Sequence, residues 1–429
     1  MQAAGDFLNV FNTEASKISM ILYTWLVTKV YAAYFRYYLG RTPVVVVADP
    51  DMLRQVMVKD FSSFPNRNRF ALVKKPISDC LLQLRNEQWK RVRSVLTPSF
   101  SAAKMKEMVP LINTAIDALM KNLHVYAESG EAFDIHRYFG YFAMDVIASV
   151  AFATQVDSQN NPDDPLVQHA QMFFINDTFK SVLLLFFAFP SIMAPLSRFI
   201  PNKRRDKMSH FFINSIHKII KQREEQPPEQ RRRDFLQLML DDRTTEECVS
   251  LERFDTSNDT DEIGDNNQRP QKKMLTEDEI VGQAVIFLLA GYETSSNTLA
   301  FTCYLLALHP ECQLRVQKEQ EKFVSLRMWS FSFQCFSFNL KNNNLLLIPR
   351  FTPEAKASRH PFVYLPFGAG PRNCVGMKLA QLEIKLPVLK KDVCFIEGTL
   401  FFQVPLELKS LSTLGPKNGV CVKISRRSK

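Results

Sequence analysis

Apolar residues recur at helical spacing along most of the chain, separated by polar positions. The segment "NEQWKRVRSVLTPSF" predicts an amphipathic helix that ends at Thr97-Pro98. "TPVVVVADPDMLRQVMV" predicts a short strand, Val44–Val47, and then a helix opened by Asp49-Pro50. Further stretches of helical spacing lie at 103–125, 137–152 and 207–220. These patterns predict a mainly α-helical fold with small β regions.

The next part of the sequence predicts an exposed loop followed by a long helix. The stretch from Arg253 to Lys273 has almost no large apolar residues and predicts an exposed loop. Thr276 and Glu279 then form a T-x-x-E capping box, and the helix they open can continue to His309-Pro310. A helix of roughly 33 residues is about 50 Å long.

The centre of this helix, "FLLAGYETSSNTLAF", is apolar on every face, which predicts that it is buried in the middle of the protein. It nevertheless contains Gly291, Glu293 and Thr294. A glycine inside a helix costs about 1 kcal/mol, and a buried carboxylate is costly unless it is paired. Local rules broken together in one place indicate a functional site.

A single cysteine loop carries the strongest chemical signal, "LPFGAGPRNCVGMKLA" at 365–380. Cys374 comes just before a helical pattern, so backbone N–H groups and the helix dipole are expected to lower its pKa. Arg372 adds a positive charge two residues away. A nucleophilic thiolate would need a neighbouring base, and the nearby sequence offers only His360.

Glycines and one aromatic residue complete this loop. Gly368, Gly370 and Gly376 allow the backbone to approach a flat, bulky group, and Phe367 can pack on that group. A thiolate ligand to a haem iron explains the sulfur, the glycines and an arginine that can pair with a propionate. The loop therefore predicts a haem site.

The segment "FGAGPRNCVG" fits the haem-binding signature F-x-x-G-x-R-x-C-x-G at every fixed position, and the chain resembles the cytochrome P-450 family. Two more family motifs are present: A-G-x-E-T at 290–294, and W-x-x-x-R as Trp89 and Arg93. The resemblance implies a P-450 fold and a haem b whose iron is bound by the Cys374 thiolate. It implies catalytic roles for Glu293 and Thr294. The cofactor-binding residues it implies are Trp89, Arg93, Ala290, Gly291, Phe367, Gly368, Arg372, Cys374 and Gly376.

Within the family, "VPLELKSLSTLGPKNGVCVKI" at 404–424 resembles the members that isomerise prostaglandin H2. That resemblance implies cleavage of a lipid endoperoxide without dioxygen or reductase electrons. The alternative is a monooxygenase that uses NADPH and cytochrome P-450 reductase on lipophilic substrates, which Thr294 favours. Either activity implies a small lipophilic substrate and a catalytic domain on the cytosolic face of the endoplasmic reticulum membrane.

The chain departs from the family pattern in several places. The family's E-x-x-R motif is missing between the long helix and the cysteine loop, and the one E-x-x-R, Glu229 to Arg232, lies in a charged linker before that helix. Residues 324–348 resemble neither flank and are predicted to be an atypical insert that replaces the missing block, including the K helix. The segment before Tyr37 is shorter than the family pattern, and Pro387 falls inside the helix after Cys374. A third hypothesis is therefore an inactive, incomplete gene product.

Composition sets the remaining bounds. With 46% hydrophobic residues the chain can bury a large core, and its net charge of +10 comes with basic clusters that are typical of solvated faces or of contact with anionic membranes. The eight cysteines are scattered, as in a reducing compartment. "ISMILYTWLV" (18–27) is shorter than the roughly 20 apolar residues of a spanning helix. We predict an N-terminal segment, 1–36, with a weak membrane anchor, and a catalytic domain, 37–429.

Overall fold

The structure is a computed structural model. It describes residues 34–39, 42–68, 73–174, 189, 192–193, 203–232, 234–244, 275–322, 353–388, 393–395, 404–410 and 413–426. The predicted anchor at 18–27, the predicted loop at 253–273 and the atypical segment 324–348 lie outside the described residues. None of the described helices is long and apolar enough to cross a lipid bilayer.

Helices dominate the described part of the chain, as predicted. The α-helices are α1 Pro50–Arg54, α2 Asn86–Leu96, α3 Ala102–Ser129, α4 Ile135–Phe152, α5 Pro165–Phe174, α6 Lys203–Glu225, α7 Phe235–Thr244, α8 Glu277–Leu308, α9 Pro310–Lys322, α10 Pro353–Ser358 and α11 Met377–Val388. Short turns of 3-10 helix lie at Ile77–Asp79, Thr97–Phe100, Pro228–Gln230 and Pro361–Val363, and a π-helical turn, Gln55–Lys59, continues α1.

Within the described residues, the strands form four separate antiparallel pairs. The strands are β1 Tyr34–Leu39, β2 Thr42–Val47, β3 Phe133–Asp134, β4 Val393–Phe395, β5 Leu408–Ser410, β6 Leu414–Pro416, β7 Cys421–Val422 and β8 Ile424–Arg426. They pair as β1–β2, β3–β7, β4–β8 and β5–β6. In the β5–β6 hairpin, Lys409 is opposite Gly415. The pairs β3–β7 and β5–β6 bring the C-terminal strands against the helical core.

Helix α8 forms the axis of the core, and α4 packs along it. Its capping box is present as predicted, because Thr276 Oγ1 accepts from the Glu279 backbone N–H and the Glu279 carboxylate accepts from the Thr276 N–H. Gly291 allows close approach of the two helices, since a Cβ there would lie 3.0 Å from Ile147 Cδ1. The glycine in the buried centre therefore has a packing reason.

Most predicted elements are found with longer bounds. The strand predicted at Val44–Val47 begins at Thr42, and the helix before Thr97-Pro98 ends at Leu96. Pro387 lies inside α11, Met377–Val388, as predicted. Glu229 is exposed beside α6, as a solvated linker requires.

Candidate functional site at the cysteine loop

The cysteine loop is closed by its own backbone hydrogen bonds. The Cys374 N–H donates to the Phe367 carbonyl at 2.8 Å, the Asn373 N–H to Gly370 at 3.0 Å, and the Gly368 N–H to Leu365 at 3.1 Å. Helix α11 begins at Met377, three residues after the cysteine. The position of Cys374 before a helix N-terminus, predicted from the sequence, is confirmed.

The three glycines of the loop differ in what a side chain at each position would meet. Gly370 has φ +69°, and a Cβ there would lie 2.0 Å from the Met57 carbonyl oxygen. Gly368 has φ +71° but no atom closer than 3.8 Å to a Cβ. At Gly376 the nearest atom to a Cβ is Phe100 Cε1, at 3.9 Å, so protein atoms alone leave room for a side chain. Of the three glycines, only Gly376 is required neither by its backbone conformation nor by contacts with protein atoms. A glycine at this position is therefore suited to leaving space for a bound group.

Cys374 is exposed in the structure, although neighbouring protein atoms partly desolvate its thiol. Burial raises the pKa of this thiol, against the opposing effects of a backbone hydrogen bond from Gly376 and the charges of Arg93 and Arg67. The prediction of a lowered pKa is wrong for the protein alone, because desolvation outweighs the Gly376 hydrogen bond and the two arginine charges.

Arg372 is held in place by backbone carbonyls and by an aromatic ring. Its Nε donates to Pro65 O at 2.6 Å and its Nη2 to Leu84 O at 3.0 Å. The guanidinium carbon lies 4.3 Å from the centre of the Trp89 ring, which is buried. The third nitrogen, Nη1, is buried and has no hydrogen-bond partner. This rigid guanidinium therefore has one donor group left for an anion.

Three further arginines lie near Arg372. Burial first, and then the charges of Arg67, Arg85 and Arg93, lower the pKa of Arg372 to about 10. The Arg93 side chain is buried and donates to Asn373 Oδ1 at 2.7 Å. Among the described residues, none of these four arginines forms an ion pair with a carboxylate. Such a concentration of unpaired positive charge fits a dianionic ligand.

The middle of α8 carries an open stripe. Ala290 and Thr294, one turn apart, are exposed, and Gly291 is half-buried, whereas the neighbouring positions Tyr292 and Glu293 are buried. The Thr294 hydroxyl donates to the Ala290 carbonyl at 2.7 Å. The stripe Ala290, Gly291 and Thr294 is thus mostly apolar, and its one hydroxyl, that of Thr294, already donates a hydrogen bond within the helix.

Glu293 points elsewhere. Its carboxylate is buried and accepts a hydrogen bond from Thr413 Oγ1 at 3.2 Å, on the segment before β6. The two residues predicted to act as a catalytic pair thus have separate partners in this structure, and their catalytic roles stay predictions.

Aromatic side chains join the cysteine loop to the long helix. Phe100 lies next to Gly376 and stacks on Phe287, with ring centroids 5.6 Å apart. Phe287 is on α8, three residues before Ala290. The structure therefore brings the cysteine loop, the W-x-x-x-R helix and α8 into one neighbourhood.

Sequence reasoning missed several residues of this neighbourhood. They are Arg67, Arg85, Asn373, Phe100 and Glu383. Asn373 carried a usable signal, because it immediately precedes the cysteine. The others depend on contacts between segments that are distant along the chain, so local spacing does not reveal them.

The fold and this site define a haem-thiolate protein. A family profile described as Cytochrome P450 matches residues 7–336 and 347–390, and the chain belongs to this family. The match is interrupted within the atypical segment 324–348.

Sequence identity to individual curated proteins supports the same family. The chain is 40% identical to a thromboxane-A synthase of Sus scrofa over 463 aligned residues, which cover 93% of this chain and 87% of the relative. A thromboxane-A synthase of Mus musculus is also 40% identical, over 91% of this chain and 85% of its own length. The mouse cytochrome P450 3A13 is 30% identical, over 93% and 86%.

The residues present fit a haem with a cysteine thiolate as its iron ligand. The two propionates of such a group require unpaired positive charge, which Arg93 and Nη1 of Arg372 supply. Gly376 and the open stripe of α8 leave room beside Cys374 and Ala290. Haem is therefore the cofactor of this family member.

Replacing Gly376 with alanine tests the clearance argument. The haem-free variant should unfold within about 1 kcal/mol of the unaltered chain, because protein atoms leave space and alanine restricts the unfolded chain. Haem binding, followed by visible absorbance during titration, should weaken because the methyl group enters the haem-facing space. Equal haem affinity in both proteins would show that this glycine is not needed for clearance.

Proposed function

We propose that this protein is an isomerase that converts prostaglandin H2 into thromboxane A2. The observation that carries the proposal is the higher identity to thromboxane-A synthases, 40%, than to cytochrome P450 3A13, 30%, over similar coverage. The state of Glu293 and Thr294 agrees with it, since the hydroxyl and the carboxylate bind other protein groups. Isomerisation needs no proton delivery to dioxygen, so it does not require these two residues to act as a pair.

The chain's own residues hold the cofactor and shape the space beside it. Cys374 supplies the thiolate, and Arg93 and Arg372 bind the propionates. Bound haem supplies the redox chemistry that splits the endoperoxide O–O bond. The Ala290 and Gly291 surface keeps the space apolar, which excludes water from the rearranging carbon skeleton.

A monooxygenase is the second candidate, because the exposed Thr294 provides the alcohol that such enzymes use. In that case cytochrome P-450 reductase is a partner. An inactive product is the third, favoured by the missing E-x-x-R motif. For either enzyme we propose a membrane-associated domain that faces the cytosol at the endoplasmic reticulum.

Incubation with prostaglandin H2 separates these functions. The haem-loaded chain is incubated with the endoperoxide, with and without NADPH and reductase, and thromboxane B2 and malondialdehyde are measured. Product without NADPH is expected. Oxidation of lipophilic substrates only with NADPH and reductase would establish the monooxygenase instead, and loss of both activities in a haem-loaded chain would establish the inactive form.

A further inference from the structure

The hairpin of β5 and β6 is fixed to the long helix by two side chains of α8. Glu293 Oε1 accepts from Thr413 Oγ1 at 3.2 Å and lies 3.9 Å from Lys409 Nζ. Asn297 Nδ2 donates to the Leu414 carbonyl at 3.1 Å and to Glu293 Oε1 at 3.4 Å. The carboxylate is thus the acceptor at the centre of a buried polar network.

Asn297, at the other end of this network, is held by further contacts. Asn297 Oδ1 lies 2.8 Å from His136 Nε2 at the start of α4. Burial lowers the pKa of His136, so the ring is neutral at pH 7 and its Nε2–H donates to the amide oxygen. A Cβ on Gly415 would lie 3.0 Å from Asn297 Nδ2, so an alanine there would have to push Asn297 and strand β6 apart by a few tenths of an ångström. Both ends hold Asn297 in one orientation.

This attachment lies beside the open stripe. Glu293 and Asn297 are four residues apart and share one face of α8, whereas Ala290 and Thr294 share the adjacent face. Successive residues of a helix differ by about 100° in direction. The docked hairpin therefore borders the open stripe of α8.

We propose that Glu293 is a positioning residue that fixes the β5–β6 hairpin as a wall beside the open stripe of α8. The carboxylate acts as a hydrogen-bond acceptor for the hairpin, and Asn297 transmits the constraint to α4. This role goes beyond the proposed isomerisation, since it holds for any reaction at this site.

Hydrogen–deuterium exchange of the full chain tests the proposal. The variant E293A removes the acceptor and should make the amides of the hairpin exchange at least about tenfold faster. The variant E293Q keeps an acceptor oxygen at the same position and should restore most of the protection. The variant G415A displaces the hairpin from Asn297 without altering Glu293, and it should loosen the same peptides.

Amides of α3, which lie in another part of the core, provide the internal reference. Unchanged hairpin exchange in E293A, with α3 unaffected, would overturn the proposal. Equal loosening in E293A and E293Q would overturn it as well, because a lost acceptor would not then be the cause. If the amides of α3 also exchange faster in E293A, that variant is destabilised as a whole, and E293Q and G415A are compared instead. The proposal then requires faster hairpin exchange in G415A and unchanged hairpin exchange in E293Q.

Discussion

The Glu383→Gln variant is expected to gain stability over the unaltered chain as the pH rises. The difference in the free energy of unfolding between the two proteins should be roughly 3–5 kcal/mol larger above pH 8 than at acid pH. Glu383 lies on α11 and is almost completely buried. Ser295 Oγ, on α8, donates to its Oε2 at 2.9 Å, while Oε1 has no hydrogen-bond partner. The carboxyl group therefore connects the helix after Cys374 to the long helix at a site that disfavours charge.

The sign of the effect follows from the pKa. Burial raises the pKa of Glu383 from 4.5 to about 8, although the Ser295 hydrogen bond opposes the rise. Below pH 4.5 the group is protonated in both the folded and the unfolded chain, so it has no effect on stability. As the pH rises to about 8, the unfolded chain loses its proton first and stability falls. Glutamine stays neutral and abolishes this decline.

Urea unfolding of the full chain across this pH range measures the difference. Ser295→Ala is the matched control, because it keeps the carboxyl group and removes the one hydrogen bond that favours its charged form. S295A should become less stable than the unaltered chain as the pH rises, the opposite of E383Q. Parallel pH profiles for E383Q and the unaltered chain would contradict a neutral Glu383.

The same two helices show how far the sequence alone could reach. The capping box at Thr276 and the absence of a proline before Pro310 predict the bounds of α8, because helix ends depend on local chemistry. The cysteine signature predicts its own turn for the same reason. By contrast, Arg372 packs on Trp89 and donates to the carbonyls of Pro65 and Leu84, which lie 307 and 288 residues away along the chain.

The sequence also could not predict the direction in which a side chain points. The A-G-x-E-T motif places Glu293 next to Thr294, but their directions differ by about 100° on a helix. Only the docked hairpin shows that the carboxylate faces Thr413. The pKa of Cys374 is a similar case, since desolvation in the folded chain outweighs the Gly376 hydrogen bond and the charges of Arg93 and Arg67, and the sequence does not show this desolvation.

Replacing Gly370 with alanine is expected to destabilise the protein by several kcal/mol and to displace the cysteine loop. The residue has φ +69°, which costs an alanine roughly 1–2 kcal/mol. In addition, its Cβ would lie 2.0 Å from the Met57 carbonyl oxygen, so either the loop or the turn at Gln55–Lys59 must move. Because Asn373 donates its backbone N–H to Gly370 O, a shift of Gly370 carries Cys374 with it.

Gly368→Ala separates the two contributions. Gly368 has nearly the same φ, +71°, yet the nearest atom to its Cβ is 3.8 Å away, so G368A bears the backbone strain without the collision. Urea unfolding should show a small loss for G368A and a much larger loss for G370A. Haem titration should show weaker binding chiefly in G370A, since only there is the thiolate displaced. Equal losses in the two variants would mean that the turn at Met57 yields freely, and that the loop does not depend on it to hold Cys374 in place.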